Sequence, residues 1–413
     1  MQVELFGDKP TLPQKAAAPH FAMTSQDFDP HVRDTLQDLE RDGLLRHPRT
    51  VLGAQGPEIQ LDGRTVLGFC SNNYLGLADD PRIAHAASQA LLQHGTGAGA
   101  SRHISGTSTL HIQAEARLAR YVGAPAALFF SSGYAANVGT LQALVGEGDV
   151  IFSDALNHAS LIDGARLSRA TVFVYRHLDV DHLRELLAQH RHRYRAALVV
   201  SESVFSMEGD LGDMPTLRAL ADQHQAGIFI DEAHALGVLG PSGRGLCARD
   251  SVRPDVLVGT LGKAFGSSGA FASGAAKTVQ LIANRARSYV FSTAPLPAVA
   301  AAASVATDLV EAADDRRSRV LAHAAHLRSG LQALGYSVPA GQTPIIPVLI
   351  GSSEATMALS AALLAHGVFV HGIRPPTVPA NTCRLRLTPI ATHTDAHLEN
   401  VLAAFKACQK THL

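Results

Sequence analysis

The chain has 413 residues, a formal net charge of -1, 46% hydrophobic residues, no Trp and four isolated cysteines. That length permits a large core and more than one domain. The balanced charge gives no basic face for nucleic acid, the scarcity of aromatics leaves no base-stacking platform, and Cys70, Cys247, Cys383 and Cys408 form no Cys-x-x-Cys pair for zinc or a disulfide scaffold.

In chain order, residues 1–67 read as a loose leader, a helix over about 30–43, and a hairpin turning at Asp62-Gly63. The leader has no apolar h-region, so it does not read as a signal peptide, and no apolar run reaches the ~18 residues of a membrane span. No membrane association is expected, and the reduced cysteines suggest a cytoplasmic protein. From 68 to 295, apolar runs at 126–130, 150–152, 171–174, 197–200, 228–230 and 256–258 alternate with helical patterns. Continuous apolar runs between helices indicate a mostly parallel sheet buried on both faces. From 296 to 413, a long helical region leads to strands near 345–350 and 384–387 and a last helix from about Thr394. The expected fold class is α/β: a large domain with a mostly parallel sheet flanked by helices, plus a smaller C-terminal α+β domain.

Lysine is scarce, and Lys263 sits alone in the small-residue turn Gly259-Thr260-Leu261-Gly262-Lys263-Ala264-Phe265-Gly266 after an apolar run. An amine held there can lose solvation, drop in pKa and attack a carbonyl; a solvated turn lysine is the plainer alternative. Upstream, the apolar run 228–230 ends in Asp231, with His234 three residues on. An acid at a strand's carboxyl end faces the crevice where open α/β sheets bind ligands. Asp231 suits the ring nitrogen of pyridoxal phosphate, and His234 can reach its hydroxyl; a helix cap and an interior histidine are the alternatives. Gly133 and Tyr134, after Phe130-Ser131-Ser132, open a helix whose free amides suit a phosphate, or else form an ordinary serine-capped start. Gly95-Thr96-Gly97-Ala98-Gly99 lacks a dinucleotide fingerprint, and 259–264 lacks Walker spacing.

The ordered set Ser71-Asn72-Asn73-Tyr74-Leu75-Gly76, Ser131-Ser132-Gly133-Tyr134, Asn157-His158-Ala159-Ser160, Glu202-Ser203-Val204-Phe205-Ser206-Met207-Glu208-Gly209-Asp210, Asp231-Glu232-Ala233-His234 and Thr260-Leu261-Gly262-Lys263 resembles the α-oxoamine synthases, fold-type-I pyridoxal phosphate enzymes. The likeness spans roughly residues 45 to 405. It implies that Lys263 holds the cofactor as a Schiff base, Asp231 pairs with the ring nitrogen, and His158 stacks on the ring. It implies that Ser206 and His234 meet the ring hydroxyl region or phosphate, and that Gly133, Tyr134 and Thr260 hold the phosphate, joined by Thr293 of a partner subunit. Asn72 and Arg386 are implied to bind the amino-acid carboxylate, and Arg46 and Thr377 to contact the acyl substrate. No metal is expected.

Gly53-Ala54-Gln55-Gly56-Pro57, the 237–245 run and Phe291-Ser292-Thr293-Ala294 are similar to the branch that condenses L-alanine with a pimeloyl thioester, carried by coenzyme A or a carrier protein. Arg102-His103-Ile104-Ser105-Gly106-Thr107 also resembles the aminolevulinate-forming branch, so glycine and serine, and acetyl, succinyl and palmitoyl donors, stay open. The family resemblance implies a homodimer with a shared active site.

Overall fold

A seven-stranded sheet runs through the centre of the molecule in the order Ala126–Phe130, Ala270–Gly274, Val256–Thr260, Gly227–Asp231, Ala197–Glu202, Val150–Asp154, Thr171–Tyr175. All its pairings are parallel except those of Ala270–Gly274, which is antiparallel to both neighbours. The computed structural model describes residues 28–412; the leader read from the sequence lies outside the described residues. The chain divides into two compact units, one ending at His47 and one from Pro48 onward. In the first unit the helix Phe28–Arg41 has no buried residue.

The sheet is buried on both sides because its strands alternate apolar residues between two cores. Phe129, Phe152, Val199, Ile228, Ile230, Leu257 and Phe271 pack on one face. Leu128, Phe130, Ile151, Val200, Phe229, Val256 and Val258 pack on the other. Each fully buried side chain of this size contributes roughly 1.5–3 kcal/mol of transfer free energy. Helices Gly133–Leu144 and Ala159–Ser168 pack together, and Pro297–Glu311 packs on Pro81–His94 and Thr109–Val122.

The 126–130, 150–152, 171–174, 197–200, 228–230 and 256–258 runs all form strands of this sheet. The sequence reading did not include Ala270–Gly274. Its Ala-Phe-Ala-Ser-Gly carries one large side chain, and its strand state comes from the partners on both sides.

Near the C-terminus, Cys383–Leu387 lies between Ile346–Gly351 and His371–Ile373 in an antiparallel sheet. Every residue of Cys383–Leu387 is buried. A second small sheet joins Val51–Leu52, Glu58–Leu61, Arg64–Gly68 and Val368–Phe369. Its hairpin turns at Asp62 (φ 49°) and Gly63 (φ 82°), the paired positive φ values of a type I′ turn.

Candidate active site

The carboxyl ends of the parallel strands carry the titratable groups. Asp231 terminates Gly227–Asp231 and is 6% exposed. Its Oδ1 accepts from the Ala233 amide at 2.8 Å, and its Oδ2 accepts from Asn137 Nδ2 at 2.7 Å. Asn137 lies one turn inside helix Gly133–Leu144, and its Nδ2 also donates to Ser160 Oγ at 2.9 Å. The neighbouring strand places Glu202 directly beside Asp231 in register. Glu202 is buried, and its Oε1 accepts from the His158 amide at 2.6 Å. Burial, then the adjacent Asp231, push the Glu202 carboxyl well above its ordinary pKa.

His158 caps helix Ala159–Ser168. Its Nδ1 accepts from the Ser160 amide at 3.2 Å and lies 2.8 Å from Ser160 Oγ. Accepting at Nδ1 leaves the proton of a neutral ring on Nε2. Burial lowers the His158 pKa; Asp231 opposes the shift and Lys263 adds to it.

Lys263 follows Val256–Thr260, the strand paired with Asp231. The turn is closed by Leu261 N–H to Gly269 O at 2.9 Å and Gly266 N–H to Lys263 O at 3.0 Å. Gly266 has φ 59°, and a Cβ there would sit 2.3 Å from the Leu77 carbonyl carbon, so this close turn requires glycine. Lys263 keeps a partly accessible side chain. Burial pulls its pKa down to about 8; Asp231 and Glu202 oppose that shift, and Arg386 adds to it. The amine is therefore substantially neutral at a pH where an ordinary lysine is charged.

At the same sheet edge, where Phe130 leads into helix Gly133–Leu144, lies an anion cup. Ser132 Oγ accepts from the Ala135 amide and caps the helix. Among the described residues, the amides of Gly133 and Tyr134 find no hydrogen-bond acceptor. A Cβ at Gly133 would lie 3.8 Å from Thr260 Cβ and Oγ1, so the missing side chain leaves the space between helix start and Thr260 open. Free amides, the helix dipole and a hydroxyl match a phosphate monoester. Tyr134 is half exposed and donates its hydroxyl to Asp163 at 2.5 Å.

The facing wall comes from the small C-terminal sheet. Arg386 is 6% exposed; Nε donates to Ser206 O at 2.6 Å, and Nη1 to Asn72 Oδ1 at 3.0 Å and Thr388 Oγ1 at 3.2 Å. Its Nη2 reaches the Tyr74 hydroxyl at 3.4 Å, which lies 2.6 Å from His234 Nδ1. Burial, with the nearby Lys263, Arg386 and His158, depresses His234 well below its ordinary pKa and leaves it neutral.

The structure thus brings Lys263, Asp231, His158, His234, Asn72, Ser206 and Arg386 together, with Gly133, Tyr134 and Thr260 at one end. Thr293 is exposed, bridges to Ser101 and lines a small cleft with Ser131 and Arg102. Thr377 is exposed in the loop after Arg374. Arg46 is exposed in the first unit. Roles for Glu202, Asn137 and Tyr74 were not read from the sequence. Glu202 had a signal of the same kind as Asp231, an acid ending an apolar run. Among the described residues, no group of three or more His, Cys, Asp or Glu is placed to hold a metal ion, and no helix is long and apolar enough to cross a membrane.

The family model for aminotransferase class I and II matches residues 64–405. The 8-amino-7-oxononanoate synthase of Geobacter sulfurreducens is 50% identical over 373 residues, covering 89% of this chain and 95% of that protein. A serine palmitoyltransferase from S. paucimobilis, solved with a bound PLP–myriocin aldimine, superposes with a TM-score of 0.87 at 31% identity, over 93% of this chain and 97% of that one. The 8-amino-7-oxononanoate synthase structure from Francisella tularensis gives a TM-score of 0.73 at 26% identity, over 84% of this chain and 98% of that one. The chain belongs to the class I and II aminotransferase family of fold-type-I enzymes, within the group of the 8-amino-7-oxononanoate synthases.

Proposed function

We propose that this protein is a pyridoxal phosphate-dependent acyltransferase. It condenses L-alanine with a pimeloyl thioester and releases carbon dioxide and the free thiol. The product is 8-amino-7-oxononanoate, in biotin biosynthesis. The observation that carries the reading is Lys263 in the turn after Val256–Thr260, beside the strand that ends in Asp231, in a chain half identical to a synthase of that name.

When bound, pyridoxal phosphate supplies an electron sink for the carbon next to the amino group. The residues present fit it: the open cup at Gly133, Tyr134 and Thr260 for the phosphate, Asp231 for a protonated ring nitrogen, and a neutral Lys263 amine for the aldehyde. His158 would cover one face of the ring and limit water there. Ser206 and His234 would serve the ring hydroxyl. Arg386, held by Ser206 O, Asn72 and Thr388, would offer its positive charge and its remaining Nη2 N–H to the alanine carboxylate. Lys263 then serves as general base for the α-proton, with a pKa matched to neutral pH. Arg46 and Thr377 contact the acyl donor. Thr293 of a second copy completes the phosphate site, so the working unit is a homodimer, located in the cytoplasm.

The test is a product assay by mass spectrometry, offering alanine, glycine or serine with pimeloyl, acetyl, succinyl or palmitoyl thioesters. Alanine with pimeloyl thioester is expected to give the highest kcat/KM. A higher value for glycine with succinyl thioester would reassign the chain to another branch. A pyridoxamine absorption spectrum after alanine alone, without product, would make it a transaminase.

A further inference from the structure

Beside the site stands a charged cluster with no place in the chemistry above. His177 follows the strand Thr171–Tyr175, and its side chain is 21% exposed. Its Nδ1 lies 2.8 Å from Asp154 Oδ1 and its Nε2 lies 3.0 Å from Asp210 Oδ2. An ionised carboxylate only accepts, so a ring facing one on each side donates from both nitrogens and is an imidazolium.

The two acids belong to different parts of the molecule. Asp154 ends the sheet strand Val150–Asp154, is 2% exposed, and also takes the amides of Leu156 and Leu178. Asp210 lies in the 204–211 turn, which is closed by the Val204–Leu211 bridge and by Gly209 N–H to Phe205 O at 2.8 Å. The His177 ring also stands edge-on to Phe205 of that turn, 4.4 Å between centroids. This turn receives both arginines of the C-terminal strand. Ser206 O takes Arg386, while Met207 O and the Glu208 carboxylate take Arg384.

We propose that His177 is a positioning residue: clamped as a cation between Asp154 and Asp210, it fixes the 204–211 turn against the large sheet, and so sets the orientation of Arg386 and the affinity for the amino-acid carboxylate. Burial works against charge on His177, but the bonds to Asp154 and Asp210 outweigh it and push its pKa up to about 10. Glu208, paired with Arg384, adds a further attraction from the turn. The inference rests on Arg386 being the carboxylate site.

The test uses the holoenzyme of wild type, His177→Gln, His177→Lys and Arg386→Lys. His177→Gln removes the cation and leaves two acids facing one another. It should raise the alanine KM about tenfold or more, with kcat within about threefold and the thioester KM unchanged. His177→Lys, which keeps a cation, should recover most of that loss. A His177→Gln enzyme with unchanged alanine KM, or with only kcat lowered, would overturn the proposal. Independently of turnover, 15N spectra of the cofactor-free protein should show one histidine doubly protonated at pH 8.5 and lost in His177→Gln. Absence of that signal from wild type would overturn the clamp even if the variant does not fold. If the signal is present but Arg386→Lys leaves the alanine KM unchanged, the carboxylate assignment of Arg386 fails instead.

Discussion

Asp231→Asn separates charge from shape at the centre of the site. The present carboxylate accepts from the Ala233 amide on one oxygen and from Asn137 Nδ2 on the other. An amide at 231 keeps the first bond through its oxygen. Its NH2 would oppose Asn137 Nδ2, but Asn137 Oδ1 is buried and without a partner. Turning the Asn137 amide over presents Oδ1 to the new NH2, yet the single Ser160 hydroxyl proton is already directed at His158 Nδ1, and the turned Asn137 NH2 enters the place where Oδ1 had no partner among the described residues. At least one buried hydrogen bond is lost, so the fold should lose about 1–3 kcal/mol, or about 1–4 °C in Tm for a chain of this length. The charge is lost outright. An ion pair at about 4 Å is worth ~4 kcal/mol at an effective dielectric of 20, or about three orders of magnitude in rate. The assay is steady-state product formation with alanine and pimeloyl thioester, alongside a melting curve and the bound-cofactor spectrum. An Asp231→Asn enzyme that folds, binds cofactor and works within tenfold of wild type would refute the role of this carboxylate.

Other outcomes follow from the same geometry. Capture of pyridoxal phosphate by the cofactor-free protein needs the neutral Lys263 amine, so its rate should rise with pH to a midpoint near 8 and level off above; a midpoint near the ordinary 10.5 would contradict the lowered pKa. Gly133→Ala adds a methyl 3.8 Å from Thr260 without a clash inside the protein. It should leave Tm nearly unchanged and weaken cofactor binding about tenfold, measured by equilibrium dialysis; unaltered affinity would remove the cup from the phosphate site. Arg386→Lys breaks the planar fork that reaches Ser206 O, Asn72 and Thr388. The alanine KM should rise about 10- to 100-fold, and an unchanged value would count against the carboxylate assignment.

Much of the scaffold was legible because burial on both faces leaves unbroken apolar runs, as at 228–230 and 256–258. The edge of that legibility is also physical. Ala270–Gly274 owes its strand state to neighbours 126–130 and 256–260, which no local pattern reveals. The strand His371–Ile373 is three residues long and likewise depends on its pairing with Cys383–Leu387. Lys263, Asp231 and the Gly133 turn announced themselves through local chemistry at strand ends. Asn137 and Tyr74 did not, since each acts through a partner distant in sequence, Asp231 and His234; Glu202 carried the strand-end signal, but its partner, the His158 amide, is equally distant. His177 stood unremarked between Tyr175 and Asp179, because the acids that give it meaning lie 23 and 33 residues away.

The amine that captures the cofactor can be identified directly. Borohydride reduction of the holoenzyme, digestion and peptide mass spectrometry should place a phosphopyridoxyl group on Lys263, with Lys263→Ala left unlabelled. A stoichiometric label on any other lysine, or none on Lys263 in an enzyme that turns over, would contradict the assignment on which the whole site is built.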